Sequence, residues 1–323
     1  MADSIAPKTA EQTFRSYTRE QSDTYVQHRR SYHPDLFKII LDYHKSNNGV
    51  LDTVLDVGCG PGIATRGLAP YFNHAFGLDP SQEMIATARS LGGVTSVMEP
   101  IRFEVSSAEE LGSRSSPPII AGASVDVITA AAAAHWFDMD GFWPRAAQVL
   151  KPGGTIAFWL GSSMRVHPSM PNAAAIQEAL TKIVNDQLDE YMTPGNRLAR
   201  DLYVNLPLPW TIGHPVLDFD KSSFVRKEWN TDGNYTSSEQ FFVGGLQTLT
   251  LDMLEKLLET GSPITRWREA HQDLVGTEQD VVRVLRREIE RLLHEAGVEP
   301  GTESVTGALS GALLMMKKKR SDP

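Results

Sequence analysis

The sequence predicts a doubly wound α/β fold: a mostly parallel, seven-stranded sheet with helices on both faces. Three observations predict it. An apolar strand, Val54-Leu55-Asp56-Val57, runs straight into a glycine-rich turn, Gly58-Cys59-Gly60-Pro61-Gly62, and then into a helix from Ile63 through Leu68. Short apolar strands then alternate with helical stretches at Ala75–Asp79, Ile101–Val105, Val125–Ala130 and Thr155–Leu160, the rhythm of a parallel sheet. Two late strands, near 217–229 and 306–316, bring the count to seven.

Each element has a local reason. Residues 1 to about 12 are small and polar. The segment Phe14–His44 has a helical pattern rich in aromatic and basic side chains, with Tyr17, Tyr25, Arg29, Arg30, Tyr32 and His33 ahead of Pro34. Pro34 can open a helix over about Asp35–His44, which places Leu36, Ile39, Ile40 and Tyr43 on one face. The tyrosines either pack on the main domain or form a lid over its mouth. The first strand is apolar enough for burial on both faces, and its glycines let backbone approach a ligand beside a helix start. Ser81 is placed to cap a helix through Met84, Ile85 and Ala88. After the fourth strand come His135-Trp136-Phe137-Asp138, a helix near Met139–Leu150, and the turn Lys151-Pro152-Gly153-Gly154 into strand five.

Beyond Leu160 the alternation stops. A stretch from about Gly161 to Gly213, rich in proline and small residues, reads as an insertion. Residues 231–296 read as helical. The clearest helix carries Val282, Leu285, Ile289, Leu292 and Leu293 as a stripe, with Thr277 and Asp280 as a capping pair and Gly297 as its stop. The expected organisation is an N-terminal helical lid (1–48), a cofactor-binding core (49–160), an insertion with a late strand (161–230), a helical cap (231–300), and a last strand with a basic tail (301–323).

Composition narrows the function. The 323 residues carry 31 basic and 40 acidic side chains, a formal charge of −9, so no electrostatic footprint for nucleic acid or an anionic membrane is expected. The basic run Lys317–Arg320 reads as a solvated tail. One cysteine, Cys59, excludes an internal disulfide and reads as a small core residue rather than a reactive thiol. Met1-Ala2-Asp3-Ser4 lacks the apolar segment of a signal peptide, and no stretch has the length of a membrane span. A cytoplasmic protein, monomer or homodimer, is the expectation. No metal-ligand spacing and no Ser/His/Asp signature stands out.

The turn spacing Gly58-x-Gly60-x-Gly62 brings the third glycine one residue earlier than a dinucleotide fingerprint requires, although Ala64 blurs the contrast. Asp56 adds a carboxylate two residues before the turn. Aimed at the helix start, it would repel pyrophosphate and suit a ligand with a cationic ammonium group. S-adenosylmethionine is such a ligand. Asp79 ends the second strand about 20 residues on, where an acid can hold both hydroxyls of a ribose.

With these residues the chain resembles the class I S-adenosylmethionine-dependent methyltransferases, a Rossmann-like family, and within it the trans-aconitate methyltransferase-like branch and its fungal relatives. Leu55–Gly62 is similar to the first motif and Gly77-Leu78-Asp79-Pro80-Ser81-x-x-Met84 to the second. The resemblance implies that Asp56, Gly58, Cys59, Gly60 and Gly62 surround the cofactor, that Asp79 and Pro80 meet its ribose, and that Met84 lies against adenine. It further implies that Ser107-Ala108-Glu109 passes the adenine edge and that Ala134-His135-Trp136-Phe137 faces sulfonium and acceptor. Tyr25 and Arg29, followed by Tyr32-His33-Pro34, resemble that branch's cap over the cofactor pocket.

Methyl transfer from a sulfonium is an in-line displacement, so the protein mainly orients and desolvates. A carboxylate acceptor is ionised near neutral pH and needs an anchor rather than a base. Arg29, Arg30, His33 and His135 are the candidates. A thiol or phenol would call on a general base, and His135 is the best placed. Tyr32, His33, Trp136 and Trp159 are expected to line the acceptor pocket. The leading reading is methylation of a carboxylate oxygen of a small organic acid. The alternatives are thiol or hydroxyl methylation of a fungal secondary metabolite, a non-catalytic binding protein on the cofactor fold, and, most weakly, a nicotinamide oxidoreductase.

Overall fold

The computed structural model describes residues 31–46, 48–231, 242–243 and 245–320. Helix α1 (Pro34–Lys45) starts as its sequence dictates: Pro34 opens the first turn, and His33 caps it by accepting from Asp35 N–H at 3.2 Å. Then follow β1 (Thr53–Val57), α2 (Ile63–Leu68), β2 (His74–Asp79), α3 (Gln82–Leu91), β3 (Arg102–Val105), β4 (Val125–Ala131), α4 (Met139–Val149) and β5 (Leu150–Val166). The second half contains α5 (Ala173–Ile183), α6 (Pro194–Arg200), β6 (Phe219–Trp229), β7 (Gln247–Thr250), α7 (Leu251–Glu259), α8 (Ser262–Ala270), α9 (Val281–Glu295) and β8 (Ser304–Lys318).

The strands form one sheet in the order β3-β2-β1-β4-β5-β8-β6. Neighbours from β3 to β5 are parallel, and β8 runs antiparallel between β5 and β6. This is the doubly wound, Rossmann-like fold that the sequence predicts. The short β7 adds an eighth strand that the sequence reading missed, pairing with the start of β8.

Alternate strand residues face opposite layers. Leu55, Ile128, Phe158 and Leu314 pack beneath α4 with Phe142 and Trp143. Val54, Val127, Ala157 and Leu313 pack on the other side with Leu36, Ile40, Leu68 and Ile85. Residues 34–45, grouped in the sequence with a lid, therefore belong to the covering layer of the sheet. Phe37 of α1 presses so closely on Gly67 that a Cβ there would come within 2.4 Å of its ring.

Two boundaries differ from expectation for one reason. Strand five does not stop at Leu160 but continues to Val166, so the insertion begins later. A register shift between Gly161 and Met164 lets β5 stay paired with β8 through Val166 and Gly307. This long arm carries α5 and α7–α9 over the carboxyl ends of the parallel strands, with Ile176, Leu180, Leu254, Leu285 and Ile289 as their own core. Helix α9 is capped by Asp280, whose carboxylate accepts from Val282 N–H at 3.0 Å; Thr277 lies outside it. Gly297, at φ 87°, ends it as expected.

Candidate active site

The sheet order reverses between β1 and β4, the place where open α/β sheets bind ligands beyond their carboxyl ends. A cavity of about 730 Å³ lies there. Its floor is the turn after β1. Gly58 has φ 65°, and a Cβ on it would stand 2.5 Å from the Ala133 Cβ, so a side chain would push β1 and the segment after β4 apart. Gly60, at φ 54°, faces open space: nothing lies within 4 Å of where its Cβ would be.

Asp79 stands at the cavity wall. Its carboxylate accepts from Gly60 N–H and Ser81 N–H, both at 2.9 Å, which fixes the end of β2 against the glycine turn. An open glycine cradle with an acid in its wall fits a ligand bearing ribose hydroxyls and no phosphate. Pro80, Met84, Ala108 and Glu109 continue the wall beside Asp79. Glu109 accepts from Asp138 N–H at 2.9 Å, tying that wall to the segment after β4. Cys59 also lines the cavity, but burial, Asp79 and Asp56 push its thiol well up, so it is no nucleophile.

Asp56 corrects the sequence reading. Its carboxylate does not reach the cavity. It is fully buried and accepts from the hydroxyls of Thr65 at 2.7 Å and Thr129 at 2.8 Å, joining β1 to α2 and β4. It supports the turn from behind. Burial raises its pKa from the ordinary 3.8 to about 6, against the two hydroxyl bonds, which lower it. A raised folded pKa stabilises the fold below pH 3.8, and that stabilisation is lost as pH rises through about 6. Replacing Asp56 by asparagine removes the titration. The stability of wild type relative to Asp56→Asn is therefore expected to fall by about 2 kcal/mol between pH 4 and 7, read by urea unfolding at each pH. A difference constant across that range would refute the assignment.

Other expected residues divide. Tyr32 lines the cavity, stacked on Phe242 at 5.4 Å between ring centres, and Trp136 lines it beside His135. Gly62, Ser107 and Ala134 do not line it: Gly62 lies against Phe103, the Ser107 carbonyl accepts from Leu111 N–H, and Ala134 faces the core. His33 is occupied as the α1 cap, and Trp159 is wholly buried among Tyr32 and Phe37 instead of lining the acceptor pocket. Tyr25, Arg29 and Arg30 lie outside the described residues.

His135 stands in the cavity wall with its Nδ1 2.8 Å from the hydroxyl of Tyr203. Burial pushes the Tyr203 phenol up, so it stays protonated and holds the imidazole orientation. Against the other side, Gly195 of α6 has no room for a Cβ, which would come 2.6 Å from the Trp136 ring. The insertion thus docks directly on the His135-Trp136 segment.

The sequence reading missed Arg165. It lies near the end of the extended β5 and lines the cavity. Its Nε is buried with no hydrogen-bond partner, and no carboxylate is within ion-pair reach among the described residues. Arg200, another cation of the wall, is instead engaged by Asp189 and Asp201. The strand extension that carries Arg165 leaves no trace in the local pattern Gly161-Ser162-Ser163-Met164. Among the described residues no cluster of His, Cys, Asp and Glu is arranged for a metal ion, and no helix is long and apolar enough to cross a membrane.

Residues 55–158 match the model of a methyltransferase domain. A candidate methyltransferase of Dictyostelium discoideum is 25% identical over 267 residues, covering 82% of this chain and 92% of that protein. A probable S-adenosylmethionine-dependent methyltransferase of Saccharomyces cerevisiae is 24% identical over 279 residues, covering 85% and 88%. A solved Anaeromyxobacter dehalogenans structure, described as a candidate type II methyltransferase, shares the fold with TM-score 0.58 and 21% identity, over 90% of this chain and 97% of that one.

Proposed function

We propose that this S-adenosylmethionine-dependent methyltransferase acts on a small organic acid, methylated on a carboxylate oxygen. One observation carries this reading: the cavity wall holds a guanidinium, Arg165, whose buried Nε has no hydrogen-bond partner among the described residues. A buried unpaired donor on a cation is costly unless a ligand completes it, and a carboxylate matches the guanidinium fork. The resemblance to the trans-aconitate methyltransferase-like branch supports a carboxylate as the accepting group.

When bound, S-adenosylmethionine supplies an electrophilic methyl group on a sulfonium. Asp79 and the Gly58–Gly60 turn would hold it, with Met84, Ala108 and Glu109 along the remaining wall. Arg165 would hold both carboxylate oxygens of the acceptor in its fork, and a remaining lone pair on one of them attacks the methyl carbon. The apolar side chains of the cap helices, Leu180, Leu254 and Leu285 among them, lower the polarity around that pairing and strengthen it. A carboxylate has no proton to give up in this pH range, so no base takes part.

A second reading rests on His135, whose hydrogen bond to Tyr203 would suit a base for a thiol or hydroxyl. The two readings separate by pH and mutation. With an acid acceptor, the rate of wild type is expected to stay level from pH 6 to 9, and His135→Ala to keep activity within about tenfold. A rate that climbs with pH and collapses by about 100-fold or more in His135→Ala would favour the base-assisted reading.

A further inference from the structure

Past Arg165 the cavity changes character. Its far end is walled by Leu180 of α5, Leu188 of the turn that follows, Leu254 and Leu258 of α7, and Val282 and Leu285 of α9. No charged side chain lines the part formed by 177–188 and 254–285. The polar side chains there are mostly engaged with their own wall. Gln177 Oε1 accepts from Val166 N–H, and the hydroxyls of Thr181 and Thr260 donate to the carbonyls of Gln177 and Leu257. Ser262 Oγ accepts from Asn196 Nδ2. A chamber of this kind offers almost no hydrogen bonds to a ligand and gains free energy from burying apolar surface.

We propose that the acceptor is an amphipathic monocarboxylic acid: its carboxylate meets Arg165, and its hydrocarbon body occupies the chamber between α5, α7 and α9. This rests on the carboxylate reading above and adds the chemistry of the rest of the molecule. A polyacid such as a tricarboxylate is disfavoured, since its second and third charges would face Leu254, Leu258 and Leu285 with no counter-ion among the described residues of that part of the wall. In the transfer, the carboxylate oxygen forms the new bond to the methyl carbon and the sulfur–methyl bond breaks. The electron pair stays on sulfur, and the products are a methyl ester and a neutral thioether with no proton moved.

The test uses the full chain with S-adenosylmethionine and straight-chain acids from butanoic to tetradecanoic, scored by kcat/KM. The expected result is a rise of about threefold to fourfold per added methylene until the chamber is full, then a plateau or fall. Leu258→Trp, which shortens the chamber, moves the optimum to shorter acids. Acids methylated at a rate independent of length, or a small polyacid preferred over all of them, would overturn the amphipathic acceptor while leaving carboxylate methylation standing. Thiols or phenols methylated and no acid of any length would overturn both.

Discussion

Arg165→Ala is expected to lower kcat/KM for the acid acceptor by about two to three orders of magnitude, the cost of leaving a buried carboxylate without its charged partner. The loss should appear mainly in KM, because the guanidinium holds the acceptor before and during transfer. Affinity for S-adenosylmethionine should stay within about threefold, since Arg165 makes no ion pair among the described residues and lies on β5 rather than on the glycine turn. Arg165→Lys keeps the charge and loses the fork, so its activity should fall between wild type and alanine. Steady-state kinetics with calorimetric titration of the cofactor reads all three. An Arg165→Ala enzyme with unchanged KM for acids would remove the anchor from the account.

The second large effect belongs to Asp79. Its carboxylate already orders Gly60 and Ser81 through their N–H groups, and it faces the cavity where a ribose is expected. Asp79→Ala should weaken S-adenosylmethionine by about 100-fold, from two lost charge-assisted hydrogen bonds together with a loosened turn. S-adenosylhomocysteine, which shares the ribose, should weaken equally. Asp79→Asn retains an acceptor oxygen for one backbone N–H and should lose less. Equal affinity in wild type and Asp79→Ala would make the ribose assignment wrong.

The parallel half of the sheet was legible because its signals are local. Apolar strands, three turn glycines and the acid after β2 all act within a few residues of their own positions. The errors came where function depends on contacts far apart in sequence. Asp56 shows the motif spacing of a ligand-facing acid, yet its partners Thr65 and Thr129 lie 9 and 73 residues away and turn it into a buried support. Trp159 ends the central run of a strand as pocket residues do, but Tyr32 and Phe37 fold over it from the N-terminal side. Arg165 was hidden because strand five was expected to end at Leu160. Only the pairing with β8, nearly 150 residues on, extends the strand and brings the guanidinium to the cavity. Tyr203, held at φ 64° with its hydroxyl on His135, has no local signature either.

The measurement closest to the central claim is the chemical fate of a transferred labelled methyl group. The protein is incubated with methyl-labelled S-adenosylmethionine and a mixture of aliphatic acids, thiols and phenols, and the product is treated with mild alkali. A methyl ester hydrolyses and releases its label as volatile methanol, whereas thioethers and aryl ethers keep theirs. The account predicts alkali-labile product that Arg165→Ala nearly abolishes. Alkali-stable product, formed equally well by Arg165→Ala, would contradict it.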